Sequence, residues 1–293
     1  MMHKKVRKAV IPVAGLGTRL LPVTKSVPKE LLPIVDVPAI QVIVEECIKS
    51  GIEEVILVTS RGKGQIEDHF DFSYELEGIL EERGKTQELE VVRNIGRMVR
   101  TISVRQKKPL GLGHAILCAK DVVGDEPFLV LLPDDIISAE PTASRQMLDV
   151  YEKYGEGVVS VMEVPREEVS RYGIMDGEQW GEGLWRVRML VEKPAQDLAP
   201  SNLAVIGRYV LPSIIFKYLE DVRSDQSGEI QLTDALARLS RERALIGASF
   251  HGVRHDIGDR LGLITANVSF ALERPELRDG VLEFLKKTCT SLT

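Results

Sequence analysis

The sequence predicts an α/β protein built on a doubly wound, mostly parallel, Rossmann-like sheet with inserted hairpins and a C-terminal helical extension. Two observations support this fold class. Short apolar runs alternate with segments of helical spacing along residues 9–164, which is the order that parallel βαβ units produce. The first apolar run also ends in a Gly-rich turn, as the first strand of a doubly wound fold does.

Buried strands are predicted where a short apolar run ends at turn residues. The clearest are residues 9–14 (AVIPVA) and 54–59 (EVILVT). Residues 38–50 lie between them, have apolar positions at helical spacing and stop before Gly51, so they are predicted as a helix. This βαβ unit should have a right-handed crossover. By the same criteria, the region continues with helices at 65–83, 113–121 and 144–154 and strands at 101–104, 128–132 and 157–164.

The alternation becomes less regular after residue 165. Residues 172–185 are Gly-rich and contain both tryptophans, which predicts a hairpin. A strand is expected at 203–210, a helix from about Pro212, and two helices at 261–287 divided at Pro275. We therefore expect one α/β domain over residues 1–260 and a helical extension over 261–293, which is a candidate oligomer contact.

Composition excludes several classes of protein. The 293 residues carry a formal net charge of -6, whereas nucleic-acid-binding chains usually show a basic balance or face. The three cysteines are scattered and have no metal-ligand spacing. The apolar run after the basic start is too short for a signal peptide, and no run approaches the length of a membrane span. We expect a cytoplasmic protein without a nucleic-acid or membrane partner.

A Gly-rich loop with a cationic continuation follows the first predicted strand. Gly15 and Gly17 allow backbone amides to approach a phosphate closely, but the loop fits neither the dinucleotide fingerprint nor the P-loop. Arg19, Lys25 and Lys29 follow on a segment that its prolines keep from forming one regular helix. These cations could bind a triphosphate or form a solvated loop, and spacing alone does not choose between the two.

Further polar residues stand at the ends of predicted elements. Gln106 and Gly111 belong to a second Gly-bearing loop, which could contact a base or simply begin a helix. Asp134 and Asp135 end an apolar strand, where ligands of open α/β sheets bind. Carboxylates suit Mg²⁺ there, although such a pair is also common in turns.

Residues 13–22 (VAGLGTRLLP) followed by 28–33 (PKELLP) resemble the signature of the nucleotide-diphosphate-sugar pyrophosphorylases. The resemblance extends in order through residues 106–115, 131–135, 172–173, 191–194 and 254–262, and so covers nearly the whole chain. It implies the following roles. The loop of Ala14, Gly15 and Gly17 binds a nucleoside triphosphate, Gln106 and Gly111 bind the base, and Asp134 and Asp256 hold Mg²⁺. Arg19, Lys29 and Lys193 act on the phosphates, and Gly173, Glu192, Lys193 and Gly207 bind the sugar. Lys25 and Asp135 receive no role.

Residues 68–77 and 109–115 resemble the bacterial branch of this family that uses UTP and glucose 1-phosphate. The resemblance implies an in-line displacement that gives UDP-glucose and pyrophosphate, in a homodimer or homotetramer. Two alternatives stay open. One is the same chemistry with dTTP or another sugar phosphate. The other is a nucleotide-sensing regulatory protein that kept the fold, although a pure binder need not retain the predicted metal carboxylates.

Overall fold

The computed structural model describes residues 3–225 and 227–292. Residues 1, 2 and 293, at the ends of the predicted domains, lie outside this part. Nearly every predicted element is present, with small shifts at its ends. The strands are β1 Lys8–Pro12, β2 Pro33–Ile34, β3 Val37–Pro38, β4 Glu54–Thr59, β5 Arg100–Arg105, β6 Phe128–Leu131, β7 Asp135–Ser138, β8 Gly157–Glu163, β9 Gly173–Gly181, β10 Leu184–Glu192, β11 Leu203–Leu211, β12 Leu245–Ser249 and β13 Val253–Asp256.

The helices lie between these strands and at the C-terminal end. They are α1 Ala39–Lys49, α2 Gly64–Phe70, α3 Tyr74–Glu82, α4 Thr86–Arg97, α5 Gly111–Cys118, α6 Lys120–Val123, α7 Ala143–Tyr154, α8 Ile215–Asp221, α9 Leu232–Glu242, α10 Arg260–Glu273 and α11 Pro275–Leu292. The single helix predicted over 65–83 is wrong, since α2 and α3 divide it and α4 follows as a further helix. The two helices predicted in the tail are confirmed, with Pro275 as the first residue of α11.

Within the described residues the main sheet has nine strands in the order β5-β4-β1-β6-β11-β8-β12-β10-β9. The strands β5, β4, β1 and β6 are mutually parallel, and β12 is parallel to β8. The other pairings are antiparallel, because β11 and β10 run against the rest. The sheet is thus a mixed Rossmann-like sheet, and the prediction of a mostly parallel one is confirmed only for β5, β4, β1 and β6 and for the pair of β8 and β12.

The predicted hairpin is present as β9 and β10, and it joins the edge of the main sheet. Two apolar clusters cover the faces of the sheet. One lies under α1 and α7 and the other under α5, α8 and α9. The middle strands are buried on both faces, which explains why β4 and β6 appear in the sequence as continuous apolar runs.

The tail is joined to the body through α10. The Asn267 side chain accepts a hydrogen bond from the Val35 amide (2.7 Å) and donates one to the Pro33 carbonyl (3.2 Å). Leu261, Ile264 and Phe284 remain exposed on α10 and α11. No helix among the described residues is long and apolar enough to cross a membrane.

Candidate active site

The parallel half of the sheet determines where the site lies. The carboxyl ends of β1, β5 and β6 point to the same edge, and each leads into a polar loop that the sequence had singled out. These loops contain Gly15, Gln106 and Asp134, and together they line a cavity of about 440 Å³. Ligands of open α/β sheets bind at this edge. The cavity is therefore the candidate nucleotide site.

The Gly-rich loop lies tightly against the segment that contains Lys29. Gly17 has φ +66, and a Cβ there would lie 3.1 Å from Cγ2 of Thr24 and 3.3 Å from Cβ of Lys29. The Thr24 hydroxyl donates to the Gly17 carbonyl (2.8 Å). Glycine is needed at this position because the conformation is left-handed and the space is filled. Ala14 and Gly15 also line the cavity.

Lys29 and Asp134 form an ion pair at the centre of the site, with Nζ 2.7 Å from Oδ2. Burial acts to lower the pKa of Lys29, but the Asp134 carboxylate outweighs it and the pKa is raised. Burial acts to raise the pKa of Asp134, but Lys29 outweighs it and the pKa is lowered. Both groups therefore stay charged at neutral pH.

Asp134 and Asp256 face one small space. A Cβ at Gly258 would lie 3.0 Å from Oδ1 of Asp256 and 3.2 Å from Oδ2 of Asp134. The pairing of β7 with β13 brings the two segments together and places Asp256 opposite Asp135. The structure thus brings together the two carboxylates that the sequence assigned to Mg²⁺.

Asp135, which the sequence left without a role, is buried beside them. Its carboxylate accepts hydrogen bonds from Arg254 and from the Gly207 amide (3.1 Å). Burial raises the pKa of Asp135, Arg254 opposes this effect, and Asp134 adds to it. Arg254 also lies 3.5 Å from Oδ2 of Asp256 and donates to the Tyr172 hydroxyl (3.2 Å). The ion pair of Asp135 and Arg254 therefore links the two segments that contain Asp134 and Asp256 and supports these two carboxylates.

The loop before α5, which is predicted to contact the base, forms one wall of the first cavity. Gln106 is buried, and its amide group donates to the Gly111 carbonyl (3.1 Å) and contacts Nδ1 of His114 (3.0 Å). A second loop packs on the first: Gly113 donates to the Ile230 carbonyl (2.9 Å), and Ile230 donates to the Leu110 carbonyl (2.8 Å). His114 thus supports the side chain of Gln106.

Gly111→Ala should destabilise the protein and weaken nucleotide binding. Gly111 has φ +88, and a Cβ there would lie 2.8 Å from Cβ of Glu229 and 3.0 Å from the Ile230 carbonyl. The left-handed conformation costs alanine about 1–2 kcal/mol, and the overlap adds about 1–3 kcal/mol. The matched control is Gly84→Ala, because Gly84 has φ +66 and open space around its Cβ position. Equal losses of unfolding free energy in the two variants would contradict the role of the overlap.

A second cavity, of about 260 Å³, adjoins the first, and both are lined by Asp134, Leu112, Leu132 and Glu229. It contains the predicted sugar residues Gly173, Glu192 and Lys193. The Glu192 carboxylate accepts a hydrogen bond from the Thr233 hydroxyl (2.5 Å) and lies 3.3 Å from Nζ of Lys193. Lys193 has φ +42, an uncommon conformation for a residue other than glycine. The two cavities meet at Asp134.

The remaining predicted residues take different positions. Arg19 is exposed, lines the second cavity and forms no ion pair within the described part of the chain. Lys25 is exposed and lines neither cavity. Gly207 also lines neither, and a Cβ there would lie 2.5 Å from Oδ2 of Asp135. The structure therefore places Gly207 against the Asp135 carboxylate and does not place it on the wall of the second cavity.

Several residues of the site carried no signal in the sequence. Arg171 reaches Oδ2 of Asp256 (3.3 Å) and Oδ2 of Asp259 (3.4 Å). Thr233 and Glu229 come from a segment that no motif marked. The described ranges contain no group of three or more His, Cys, Asp or Glu side chains that could hold a metal ion. The carboxylates of Asp134 and Asp256, which the resemblance assigns to Mg²⁺, both line the second cavity.

A family model described as Nucleotidyl transferase matches residues 8–272. The chain therefore belongs to the nucleotidyl transferase family, and the resemblance carried by residues 13–22 and 28–33 is confirmed. A curated relative, the UTP–glucose-1-phosphate uridylyltransferase of Bacillus subtilis (strain 168), is 50% identical over 283 residues, which cover 97% of each chain.

Solved structures agree with this relationship. A UDP-glucose pyrophosphorylase complexed with UDP-glucose superposes with a TM-score of 0.85 at 43% identity, and the match covers 92% of this chain and all of that one. The UTP-bound UGPase from Acinetobacter baumannii superposes with a TM-score of 0.87 at 41% identity, covering 96% and 98% of the two chains. The chain thus matches these proteins over nearly its full length.

Proposed function

We propose that this chain transfers the uridylyl group of UTP to glucose 1-phosphate and releases UDP-glucose and pyrophosphate. The observation that carries the proposal is the junction of two cavities at Asp134 and Lys29. A nucleoside triphosphate in the first cavity and a sugar phosphate in the second would meet there. The name of the Bacillus subtilis relative and the UDP-glucose and UTP complexes of the solved structures support the choice of substrates.

The arrangement suits an in-line displacement at the α-phosphorus, with an oxygen of the sugar phosphate as nucleophile. Such a reaction needs positioning and charge neutralisation more than a covalent nucleophile. Lys29 binds the triphosphate and the departing pyrophosphate from the first cavity, and Arg19 does so from the wall of the second cavity, where Lys193 holds the attacking phosphate. Ala14, Gly15 and Gly17 bind the phosphates through the backbone, while Gln106 and Gly111 bind uracil. Nε2 of Gln106 is engaged with Gly111 and His114. The side-chain oxygen Oε1 of Gln106 is therefore left to accept a hydrogen bond from the base.

The residues present fit Mg²⁺. Two hard carboxylates that flank one small space, next to a phosphate site, match the way in which proteins bind this ion. Asp134 and Asp256 would hold it, and the bound ion supplies charge neutralisation at the phosphates. Lys29 would then share Asp134 with the ion and direct its remaining donors to phosphate oxygens.

On the sugar side, Glu192 accepts hydrogen bonds from hydroxyls, and Gly173 lets the ring approach the backbone. Gly207 contributes by making room for Asp135. We further propose that residues 1–260 form the catalytic domain and residues 261–293 a helical extension. The exposed apolar residues of α10 and α11 suit an oligomer contact. The homodimer or homotetramer and the cytoplasmic location stay predictions.

Pyrophosphate release from UTP and glucose 1-phosphate with Mg²⁺ tests the proposal. We expect turnover that EDTA abolishes and that falls strongly when dTTP replaces UTP or galactose 1-phosphate replaces glucose 1-phosphate. Preference for another pair would keep the class of reaction and overturn the choice of substrates. Metal-independent UTP binding without turnover on any pair would favour a regulatory nucleotide sensor.

A further inference from the structure

We propose that Thr233 is a positioning residue for the sugar step, because it holds the carboxylate of Glu192 in the orientation that accepts adjacent hydroxyls of the sugar ring. This inference rests on the proposed function and deepens it. The two residues lie 41 positions apart in the chain, and the Thr233 hydroxyl lies 2.5 Å from Oε2 of Glu192. No motif in the sequence pointed to Thr233.

Both oxygens of the Glu192 carboxylate are engaged. Thr233 occupies Oε2, and Nζ of Lys193 lies 3.3 Å from Oε1. An ionised carboxylate has about four acceptor sites, so about two remain for a ligand in the cavity. The ligand chemistry that fits is a pair of neighbouring hydroxyls, which a hexose ring provides.

The hydrogen bond between Thr233 and Glu192 lies close to the backbone of Gly173. A Cβ at Gly173 would lie 3.2 Å from Oε2 of Glu192 and 3.2 Å from Oγ1 of Thr233. Gly173 pairs directly with Glu192 across β9 and β10. The absence of a side chain at Gly173 therefore leaves the room in which this hydrogen bond forms.

The position of the Thr233 hydroxyl is also fixed by the helix on which Thr233 lies. Thr233 lies in the first turn of α9, between Leu232 and Leu236, which are buried in the core. The residues before it are tied to the base loop, because Ile230 donates to Leu110 and accepts from Gly113. A hydroxyl on such a fixed helix start, at the wall of the second cavity, keeps the carboxylate of Glu192 in one rotamer.

Thr233→Val removes the hydroxyl and keeps the shape of the side chain. Loss of a hydrogen bond to a charged group predicts a rise of about tenfold or more in KM for glucose 1-phosphate. The KM for UTP should stay within about twofold. Thr233→Ser, which keeps the hydroxyl, should restore most of the wild-type KM. The matched control is Thr86→Val, at the exposed first residue of α4, which should change neither KM.

A double-mutant cycle separates positioning from general damage. If Thr233 acts through Glu192, Thr233→Val should add little to the KM of Glu192→Gln. Additive effects, equal increases in both KM values, or failure of Thr233→Ser to restore the KM would overturn the positioning role. Failure of the proposed function looks different, because the wild type itself would then form no UDP-glucose from UTP and glucose 1-phosphate.

Discussion

Replacing Asp134 by asparagine is expected to reduce kcat for UDP-glucose formation on the order of 10³-fold, as losses of preorganised charge at reacting groups do. The asparagine side chain would keep the shape of the aspartate but would remove the charge that both Lys29 and a bound cation require. Asp134 lines both cavities and forms the ion pair with Lys29 where they meet. The measurement is pyrophosphate release at saturating substrates as a function of Mg²⁺ concentration.

The matched control for this change is Asp68→Asn, at an exposed position of α2 away from the cavities. It should leave both kcat and the dependence on Mg²⁺ unchanged. The pKa of Asp134 is lowered, so the carboxylate should stay ionised at neutral pH, and its own titration should not limit the rate there. An Asp134→Asn variant within tenfold of the wild type, even at high Mg²⁺ concentration, would rule out the assigned role.

Replacing Glu46 by glutamine is expected to lower the free energy of unfolding by about 3–5 kcal/mol, since it leaves the buried charge of Arg208 unpaired. Nε and Nη2 of Arg208 lie 2.8 Å and 2.6 Å from the two oxygens of Glu46, and Ser144 donates to Glu46 as well. The Arg208 side chain is fully buried. Urea unfolding, followed by circular dichroism, measures the loss.

The pH dependence of this loss has a definite sign. Burial acts to raise the pKa of Glu46, but Arg208 and Ser144 outweigh it and the pKa is lowered. The stabilisation is therefore present above the unfolded pKa of about 4.3 and is lost as pH falls through the lower folded pKa. The penalty of Glu46→Gln should be full at pH 7 and should shrink below about pH 4.

Glu53→Gln is the matched control, because Glu53 forms an exposed ion pair with Lys5. It should have almost no effect on stability. The double variant Glu46→Leu/Arg208→Met should recover much of the loss, since apolar replacement of a whole buried ion pair is often tolerated. A loss in Glu46→Gln no larger than in Glu53→Gln would show that the buried pair does not stabilise this fold.

The Glu46–Arg208 pair also connects the core with the site. Nη2 of Arg208 donates to the Asp135 carbonyl (2.8 Å), and Nη1 donates to the Gly207 carbonyl (3.1 Å). The buried guanidinium group of Arg208 therefore holds the backbone of the loop that contains Asp134 and Asp135. Loss of stability in Glu46→Gln should be accompanied by loss of activity, although Glu46 lines neither of the two cavities.

Much of the site could be predicted because it lies at the ends of locally encoded strands. Gly15, Gln106 and Asp134 each follow a predicted strand, and parallel strands bring their carboxyl ends to one edge. The direction of the later strands could not be predicted in this way. The apolar run of β11 and the alternating pattern of β10 indicate burial on two faces and on one face, respectively, but they contain nothing that specifies whether a strand runs with or against its neighbours.

By itself, the sequence determined the class of fold, the loops that line the cavities and the charged groups available to them, because backbone preference and apolar periodicity are local properties. Only the tertiary structure decided which of these groups meet. Arg254 and Asp135 are separated by 119 residues, Arg208 and Glu46 by 162, and Thr233 and Glu192 by 41. Such pairs depend on strand order and register, and the distance between two side chains in space is a property of the whole packed chain.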